Sequence, residues 1–284
     1  MRIALTGASG FTGRFVAEAL AQAGAICVPI EADLTNAAEV ERAVEEAEFD
    51  RVIHLAAKAF VNAADWEAFY TVNQLGTFRL LEAIARQRPD TRCVLASSAQ
   101  VYGPGAEGLI DEDTSTNPAN HYAISKLAME WGARRWADRL EIVATRPFNY
   151  TGIGQGTEYL IPKIIDHFRR RAPVIELGNL WVKRDFGDVR AVADAYVGLA
   201  LAGDAPPQTV NIATGVVRSI DEILDVLAGL TGYRPDVQVN PAFVRANDVP
   251  VLGGDAVRLQ ATLPNWRPHD LPDTLAWMYR NEQE

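Results

Sequence analysis

Cysteine is nearly missing from this chain: Cys27 and Cys93 are the only two in 284 residues. Each sits in a short apolar run without a metal-type neighbour, so two free thiols are expected and neither a disulfide nor a metal site. Long hydrophobic runs are missing as well. None approaches the ~18 residues needed to cross a bilayer. The N-terminus lacks the basic, apolar and cleavage-site succession of a secretory signal, because a glycine arrives at Gly7. A soluble, cytoplasmic protein is expected. Basic residues are in short supply, 27 against 37 acidic, for a net charge of −10. Such a surface suits neither nucleic acid nor an anionic membrane, and an anionic ligand must be held by individual Arg or Lys residues. What remains is ordinary globular composition, 48% hydrophobic and 23% charged. A chain of this length can bury a sizeable core in one large domain or two smaller ones.

Two hydrophobic patterns alternate through the first half. Short β-branched or apolar runs at 2–6, 25–30, 51–55, 91–97 and 141–146 read as buried strands. Segments 11–23, 36–47, 65–88 and 120–139 carry helical spacing. This alternation implies an α/β fold, a Rossmann-type doubly wound parallel sheet with right-handed crossovers. After Pro147 the rhythm changes. Gly152, Gly154 and Gly156 mark a loop, followed by a helix at 158–171 and a strand at 174–177. A helix at 189–202 and a strand at 209–213 follow and can return to the main sheet; helices at 219–230 and 271–280 come last. The expected organisation is a Rossmann domain of residues 1–149 plus about 188–213. A smaller, discontinuous C-terminal domain would comprise about 150–187 plus 214–284.

Gly7-Ala8-Ser9-Gly10-Phe11-Thr12-Gly13 places a G-x-x-G-x-x-G pattern between the first strand and the first helix. A tight strand-to-helix turn needs positive φ at its first glycine, close approach at the second and helix–sheet contact at the third. The helix start then offers free N–H groups and a positive dipole end to a pyrophosphate. An acid about 20 residues later is expected on the ribose hydroxyls. Glu31 and Asp33 lie 18 and 20 residues past Gly13. Glu31, directly ending the second strand, is the better ribose ligand, and Asp33-Leu34 flanks the adenine. An acid at that place disfavours a 2′-phosphate, which tilts the choice between NAD(H) and NADP(H) slightly towards NAD. Arg14 remains a counterweight.

Tyr122-Ala123-Ile124-Ser125-Lys126 is Y-x-x-x-K on an expected helix, with phenol and ammonium one turn apart on one face. A nearby cation should lower the phenol pKa and make a proton relay usable near neutrality. Ser97-Ser98 would end the fourth strand, at the sheet edge where ligands bind, and Ser98 can donate to a carbonyl or alkoxide oxygen.

Together these pieces resemble the extended short-chain dehydrogenase/reductases, the nucleotide-sugar-modifying NAD-dependent epimerase/dehydratase branch. The resemblance rests on the glycine turn, Asp33-Leu34, His54-Leu55-Ala56-Ala57 and Val72-Asn73-Gln74-Leu75-Gly76-Thr77. It continues through Ser97-Ser98-Ala99-Gln100-Val101-Tyr102-Gly103, Tyr122–Lys126 written as Y-x-x-x-K, and Arg146-Pro147-Phe148-Asn149, all in the family's order. It implies that Tyr122 is the general acid/base, that Lys126 binds the nicotinamide ribose and tunes Tyr122, and that Ser98 holds the sugar oxygen. It implies a cofactor surface of Gly7, Ser9, Gly10, Phe11, Thr12, Gly13, Glu31, Asp33, Leu34, Leu55, Ala56 and Ala57 with Tyr122 and Lys126. Asn73 would brace the helix and His54 would pack at a strand end; Lys58 stays unassigned.

The run from Arg146 to Gln155 resembles GDP-4-keto-6-deoxy-mannose reductases, which places Asn149 on the sugar or diphosphate. Arg184 in Arg184-Asp185-Phe186-Gly187-Asp188-Val189, and Arg245 ahead of Asp248-Val249-Pro250, match arginines that face the diphosphate in the family. Two bidentate guanidiniums suit such a group in an acidic protein. Arg218 is a weaker candidate, and Arg169-Arg170-Arg171 reads as a solvated helix end. The family's 4,6-dehydratases carry an acid two residues past the catalytic Ser/Thr, often with a second acid beside it. Ala99 and Gln100 stand there in this chain, and neither serves as an acid or base. The implied reaction is therefore NAD(P)H-dependent reduction of a nucleotide-linked 4-keto-6-deoxyhexose. A 4-epimerase retaining NAD is the alternative, and a dinucleotide sensor without catalysis is a third. A homodimer is implied through the helices at 65–88 and 120–139; Trp131 and Trp136 on the second belong to either interface or core.

Overall fold

The computed structural model describes residues 1–59, 65–203, 206–244 and 249–281. Its centre is a six-stranded parallel sheet of β1 (Arg2–Thr6), β2 (Ile26–Ile30), β3 (Arg51–His54), β4 (Arg92–Ala96), β6 (Glu141–Pro147) and β10 (Thr209–Ile212). The spatial order is β10-β6-β4-β3-β1-β2. The chain leaves β1 in one direction to reach β2 and in the other to reach β3, so the topological switch lies between β1 and β3. Ligands bind above such a switch, at the carboxyl ends of the strands. β2 is the outer edge strand, which is why it accommodates Pro29 without losing a ladder bond.

Helices cover both faces. Against one lie α1 (Phe11–Gln22) and α6 (Val189–Leu201), with Val16, Leu20, Tyr196 and Leu199 packed on Ile3, Leu5, Ile53 and Val94. Against the other lie α2 (Ala37–Glu46), α3 (Thr77–Gln87) and α4 (His121–Ala133), with Val40, Leu81, Ile84 and Met129 packed on Ala4, Val52, Cys93 and Leu95. The alternation along each strand sends successive side chains to opposite faces, so these near-continuous apolar runs fill two cores at once.

The segment read as one helix over 65–88 divides. Phe69–Gly76 is π-helical and runs directly into α3. The Thr77 hydroxyl donates to the Asn73 carbonyl, occupying an acceptor of the helical ladder. Gly76 is required there, because a Cβ would lie 2.7 Å from the Leu34 Cβ. The helix expected at 120–139 likewise ends as α4 at Ala133, with a 3₁₀ turn over Arg134–Trp136.

Outside the main sheet, a second sheet contains β5 (Gly108–Ile110), β9 (Lys183–Asp188), β11 (Val217–Ser219) and β13 (Val251–Gly254), with β7 (Asn149–Thr151) paired to β9. β8 (Val174–Leu177) pairs with β12 (Asp236–Val239). A third core gathers α5 (Leu160–Arg169), α7 (Ile220–Thr231) and α9 (Leu271–Arg280) through Ile164, Phe168, Leu224 and Leu275. The short α8 (Val257–Thr262) seats Leu259 in the first core. Caps define several of these starts: Asn120 for α4, Asp188 for α6, and a Ser219–Glu222 capping box for α7. The arginine run at the end of α5 is less solvated than its charge implies. Arg169 turns inward and donates to the carbonyls of Met278, Tyr279 and Asn281, closing the end of α9. Among the described residues no helix is long and apolar enough to cross a membrane, and no His/Cys/Asp/Glu group is arranged to hold a metal.

Candidate active site

The glycine turn closes as its spacing requires. Gly7 takes φ +71°, and its carbonyl accepts from the Gly10 N–H at 3.0 Å. A Cβ on Gly7 would lie 2.9 Å from the Ala56 nitrogen, so the turn rests against the segment leaving β3. A Cβ on Gly13 would lie 2.0 Å from the Gly7 carbonyl oxygen. The start of α1 has no side-chain cap and no acid in its first turn. Its leading N–H groups, on Phe11, Thr12 and Gly13, are thus left for an external acceptor. Ser9 and Gly10 are exposed at the crest.

Glu31 is exposed immediately after β2. Asp33 is engaged locally: its carboxylate accepts from the Thr35 N–H and hydroxyl, which lowers its pKa. Leu34 is buried under the π-helix, and its carbonyl accepts from Arg79. Leu55 and Ala56 are half-buried beside the turn, and Ala57 is exposed.

Below this groove a directed hydrogen-bond chain fixes the backbone. The Thr77 hydroxyl proton goes to the Asn73 carbonyl, so His54 Nε2 must donate to Thr77 Oγ1 at 2.9 Å. His54 Nδ1 therefore accepts from Thr6 at 2.7 Å, while Thr6 Oγ1 accepts the Ala56 N–H. His54 is held as the neutral Nε2–H tautomer, and burial pushes its pKa down to about 3. The Asn73 amide grips both the N–H and carbonyl of Lys58 and donates to Ser125. Ser125 in turn donates to the Tyr122 carbonyl. Asn73 and His54 are thus braces, in agreement with the sequence reading.

Ser98, Tyr122 and Lys126 converge at the carboxyl end of β4. Ser98 is 8% exposed, begins the 3₁₀ turn Ala99–Tyr102 and accepts from the Gln100 N–H. It therefore caps a turn as well as facing Tyr122, near enough for its hydroxyl to act on the phenol's pKa. Tyr122 lies in the first turn of α4, with Phe69 of the π-helix edge-on to its ring. Lys126 is 4% exposed; its ammonium donates to the Ala96 carbonyl at 2.7 Å and stands 5.9 Å from the Tyr122 ring centre. Burial lowers its pKa to about 8, against the attraction of Glu130 one turn on. Glu130 itself is buried in a bidentate pair with Arg146, the arginine of the Arg-Pro-Phe-Asn run.

One expectation fails. Tyr122 was to be acidified by Lys126, but burial of the phenol raises its pKa, with neighbouring Tyr150 adding to the effect and the Ser98 hydrogen bond opposing it. The ammonium is directed at a carbonyl, and desolvation of the phenolate dominates.

Asn149 is exposed on β7 opposite Phe186. Arg184 is on β9, with Nη1 on the carbonyls of Lys183 and Val249. Arg245 lies outside the described residues. Arg218 pairs with Glu222 at 3.4 Å. Tyr150 was not singled out from the sequence. It bridges to the glycine turn, its hydroxyl 2.9 Å from Thr12 Oγ1 and its ring parallel to Phe11. Only its position beside Asn149 could have marked it, since Thr12 is 138 residues away. A separate groove of about 750 Å³, between α6 and the segment around Trp266 and Arg267, contains none of these residues.

The residues present suit a dinucleotide: an uncapped helix start, a cradle with no room for a Cβ, and a buried Ser97 hydroxyl without a hydrogen-bond partner. Comparison with known proteins agrees. The model of the NAD dependent epimerase/dehydratase family matches residues 3–213. The GDP-6-deoxy-D-talose 4-dehydrogenase of Aggregatibacter actinomycetemcomitans is 34% identical over 99% of this chain and 98% of its own length. The GDP-6-deoxy-D-mannose reductase of Pseudomonas aeruginosa is 32% identical, covering 94% of this chain and 92% of its own. The structure of RMD from Pseudomonas aeruginosa complexed with NADPH superposes with a TM-score of 0.89 at 29% identity, over 98% of this chain and 97% of that one. The chain therefore belongs to the NAD dependent epimerase/dehydratase family of enzymes.

Proposed function

We propose that this enzyme uses NAD(P)H to reduce the 4-keto group of a nucleotide-linked 6-deoxyhexose, with GDP as the nucleotide. The convergence of Ser98, Tyr122 and Lys126 at the end of β4 carries this reading, because it brings an oxygen clamp, a proton donor and a cation together. The GDP-sugar oxidoreductases among its relatives support the choice of substrate.

The first turn of α1 and the glycine cradle hold the pyrophosphate, and Lys126 the nicotinamide ribose. Glu31 takes the adenosine ribose, which favours NAD over a cofactor with a 2′-phosphate. A nicotinamide bound there supplies the hydride for C4. Ser98 donates a hydrogen bond to the C4 oxygen, and Tyr122 gives its proton to that oxygen as negative charge develops. Gln100 occupies the dehydratase acid position with its side-chain carbonyl accepting from Asn120, which leaves no acid for water elimination. The sugar nucleotide lies against residues 150–187 and 214–284, with Asn149 and Arg184 facing it. Leu75, Ile124 and Trp131 expose 43%, 38% and 59% of their surface on the π-helix and α4, which supports a homodimer through that face. Trp136, by contrast, is core, with its indole N–H on Glu82.

The test is a panel of GDP-, dTDP- and UDP-4-keto-6-deoxyhexoses, following absorbance of NADH and NADPH separately. Cofactor oxidation stoichiometric with one keto-sugar, reduced ~10²–10⁴-fold by Tyr122→Phe, is expected. Sugar conversion without added cofactor, with copurifying NAD, would assign the 4-epimerase instead. Oxidation of neither cofactor with any member would overturn the reductase.

A further inference from the structure

Tyr150 stands between the two halves of the site. Its strand, β7, pairs with β9 in register Tyr150↔Gly187, so its backbone belongs to the second sheet. Gln155 fixes that backbone again, donating to the Tyr150 carbonyl while accepting from the Thr151 hydroxyl. Its side chain crosses to the glycine turn and meets two consecutive residues of α1 in different ways. The ring lies parallel to Phe11 with centres 6.1 Å apart, and the hydroxyl bonds Thr12 Oγ1 at 2.9 Å. One contact is apolar and planar, the other polar and directional. Together they fix both the position and the rotation of the helix start. That start has no cap of its own. The N–H groups of Phe11 and Thr12 point usefully at a phosphate only if the turn is held in one orientation. Tyr122 and Tyr159 are electrostatic neighbours of Tyr150, so this bridge lies beside the proton donor.

We propose that Tyr150 is a positioning residue: through the Thr12 hydroxyl it locks the phosphate-binding turn of α1 to the sheet that carries Arg184. The inference rests on the dinucleotide reading of the glycine turn. It separates the roles of ring and hydroxyl. A phenol that only filled the wall would be replaced by phenylalanine without effect, because the stack on Phe11 survives that change.

The test is a double-mutant cycle on the full chain, read as the dissociation constants of NADH and NADPH from fluorescence titration. Tyr150→Phe and Thr12→Val should each weaken binding of the preferred cofactor about three- to tenfold, the range expected for one lost hydrogen bond. The double variant should bind no more weakly than the worse single one, because both changes remove the same bond. The pH midpoint of kcat should match wild type in Tyr150→Phe, since the hydroxyl positions and does not transfer the proton. Wild-type affinity in Tyr150→Phe, losses that multiply in the double variant, or a moved pH midpoint would each overturn the proposal. A wild-type protein that binds neither cofactor overturns the dinucleotide reading itself, a distinct result.

Discussion

Replacing Lys126 with methionine should inactivate the enzyme and at the same time stabilise it. The ammonium is 4% exposed, and burial lowers its pKa from 10.5 to about 8. That fall corresponds to roughly 3 kcal/mol of native-state cost whenever the side chain is charged in both states. Methionine keeps the unbranched shape and removes the charge. It also deprives the Ala96 carbonyl of its donor, a loss of about 1–2 kcal/mol. The net gain at pH 7 is about 1–2 kcal/mol, or a thermal midpoint higher by ~2–6 °C for a chain of this size. The pH dependence identifies the cause. Below pH 8 both states hold the proton and the full cost is present in wild type. Between pH 8 and 10.5 the native state sheds a proton that the unfolded state keeps, so wild-type stability rises with pH. Above 10.5 the cost is gone. The advantage of Lys126→Met should thus be steady from pH 6 to about 7.5, reach zero near pH 9 and turn into a deficit of about 1–2 kcal/mol by pH 10.5, as followed by urea midpoints across that range. A variant less stable than wild type at pH 7, or an advantage that does not change with pH, would refute the reasoning.

Gly13→Ala should disrupt the cofactor turn more than the helix, because the new Cβ meets backbone, the Gly7 carbonyl at 2.0 Å and the Ala8 Cα at 2.8 Å. We expect a stability loss of about 1–3 kcal/mol and cofactor affinity at least about tenfold weaker, both read in one cofactor-dependent melting series; unchanged affinity would disconnect the turn from the dinucleotide. His54→Asn bears on the neutral imidazole. With its pKa pushed down to about 3 from 6.5, wild type is most stable above pH 6.5 and loses that contribution as pH falls towards 3, where the unfolded chain binds the extra proton. The variant should be weaker at pH 7, and the gap in urea midpoint should narrow by pH 4.5; a constant gap would mean the imidazole does not titrate as described. Glu31→Ser should move the NADH/NADPH affinity ratio about tenfold towards NADPH, equivalent to ~1.4 kcal/mol of removed repulsion, with equilibrium binding of both cofactors as the measure.

Much of the fold was readable because its signals are local. The strands of the main sheet appear as apolar runs buried on both faces, and the glycine turn announces itself by the steric demands of Gly7 and Gly13. Strands β5, β7, β11 and β13 left no such trace. They are three or four residues long, and their hydrogen bonds go to partners distant in the chain, as with Leu109 and Gly253. The starts of α4 and α6 lie close to where helical spacing put them, and the structure fixes them with Asn120 and Asp188, whose side chains accept from first-turn N–H groups; the end of α4 falls short of the spacing.

The sequence alone determined the class of fold and the place of the glycine turn, since each depends on residue type at short spacing, and it singled out Ser98, Tyr122 and Lys126 as candidates. Tertiary structure alone decided how those groups are charged and held. Burial, not the neighbouring ammonium, sets the Tyr122 proton, and the direction of the Thr6–His54–Thr77 chain follows from acceptors supplied by three separate elements. The Tyr150–Thr12 bridge belongs to the same class. Desolvation and hydrogen-bond direction depend on what surrounds an atom in space, and a linear order of residues does not contain that information.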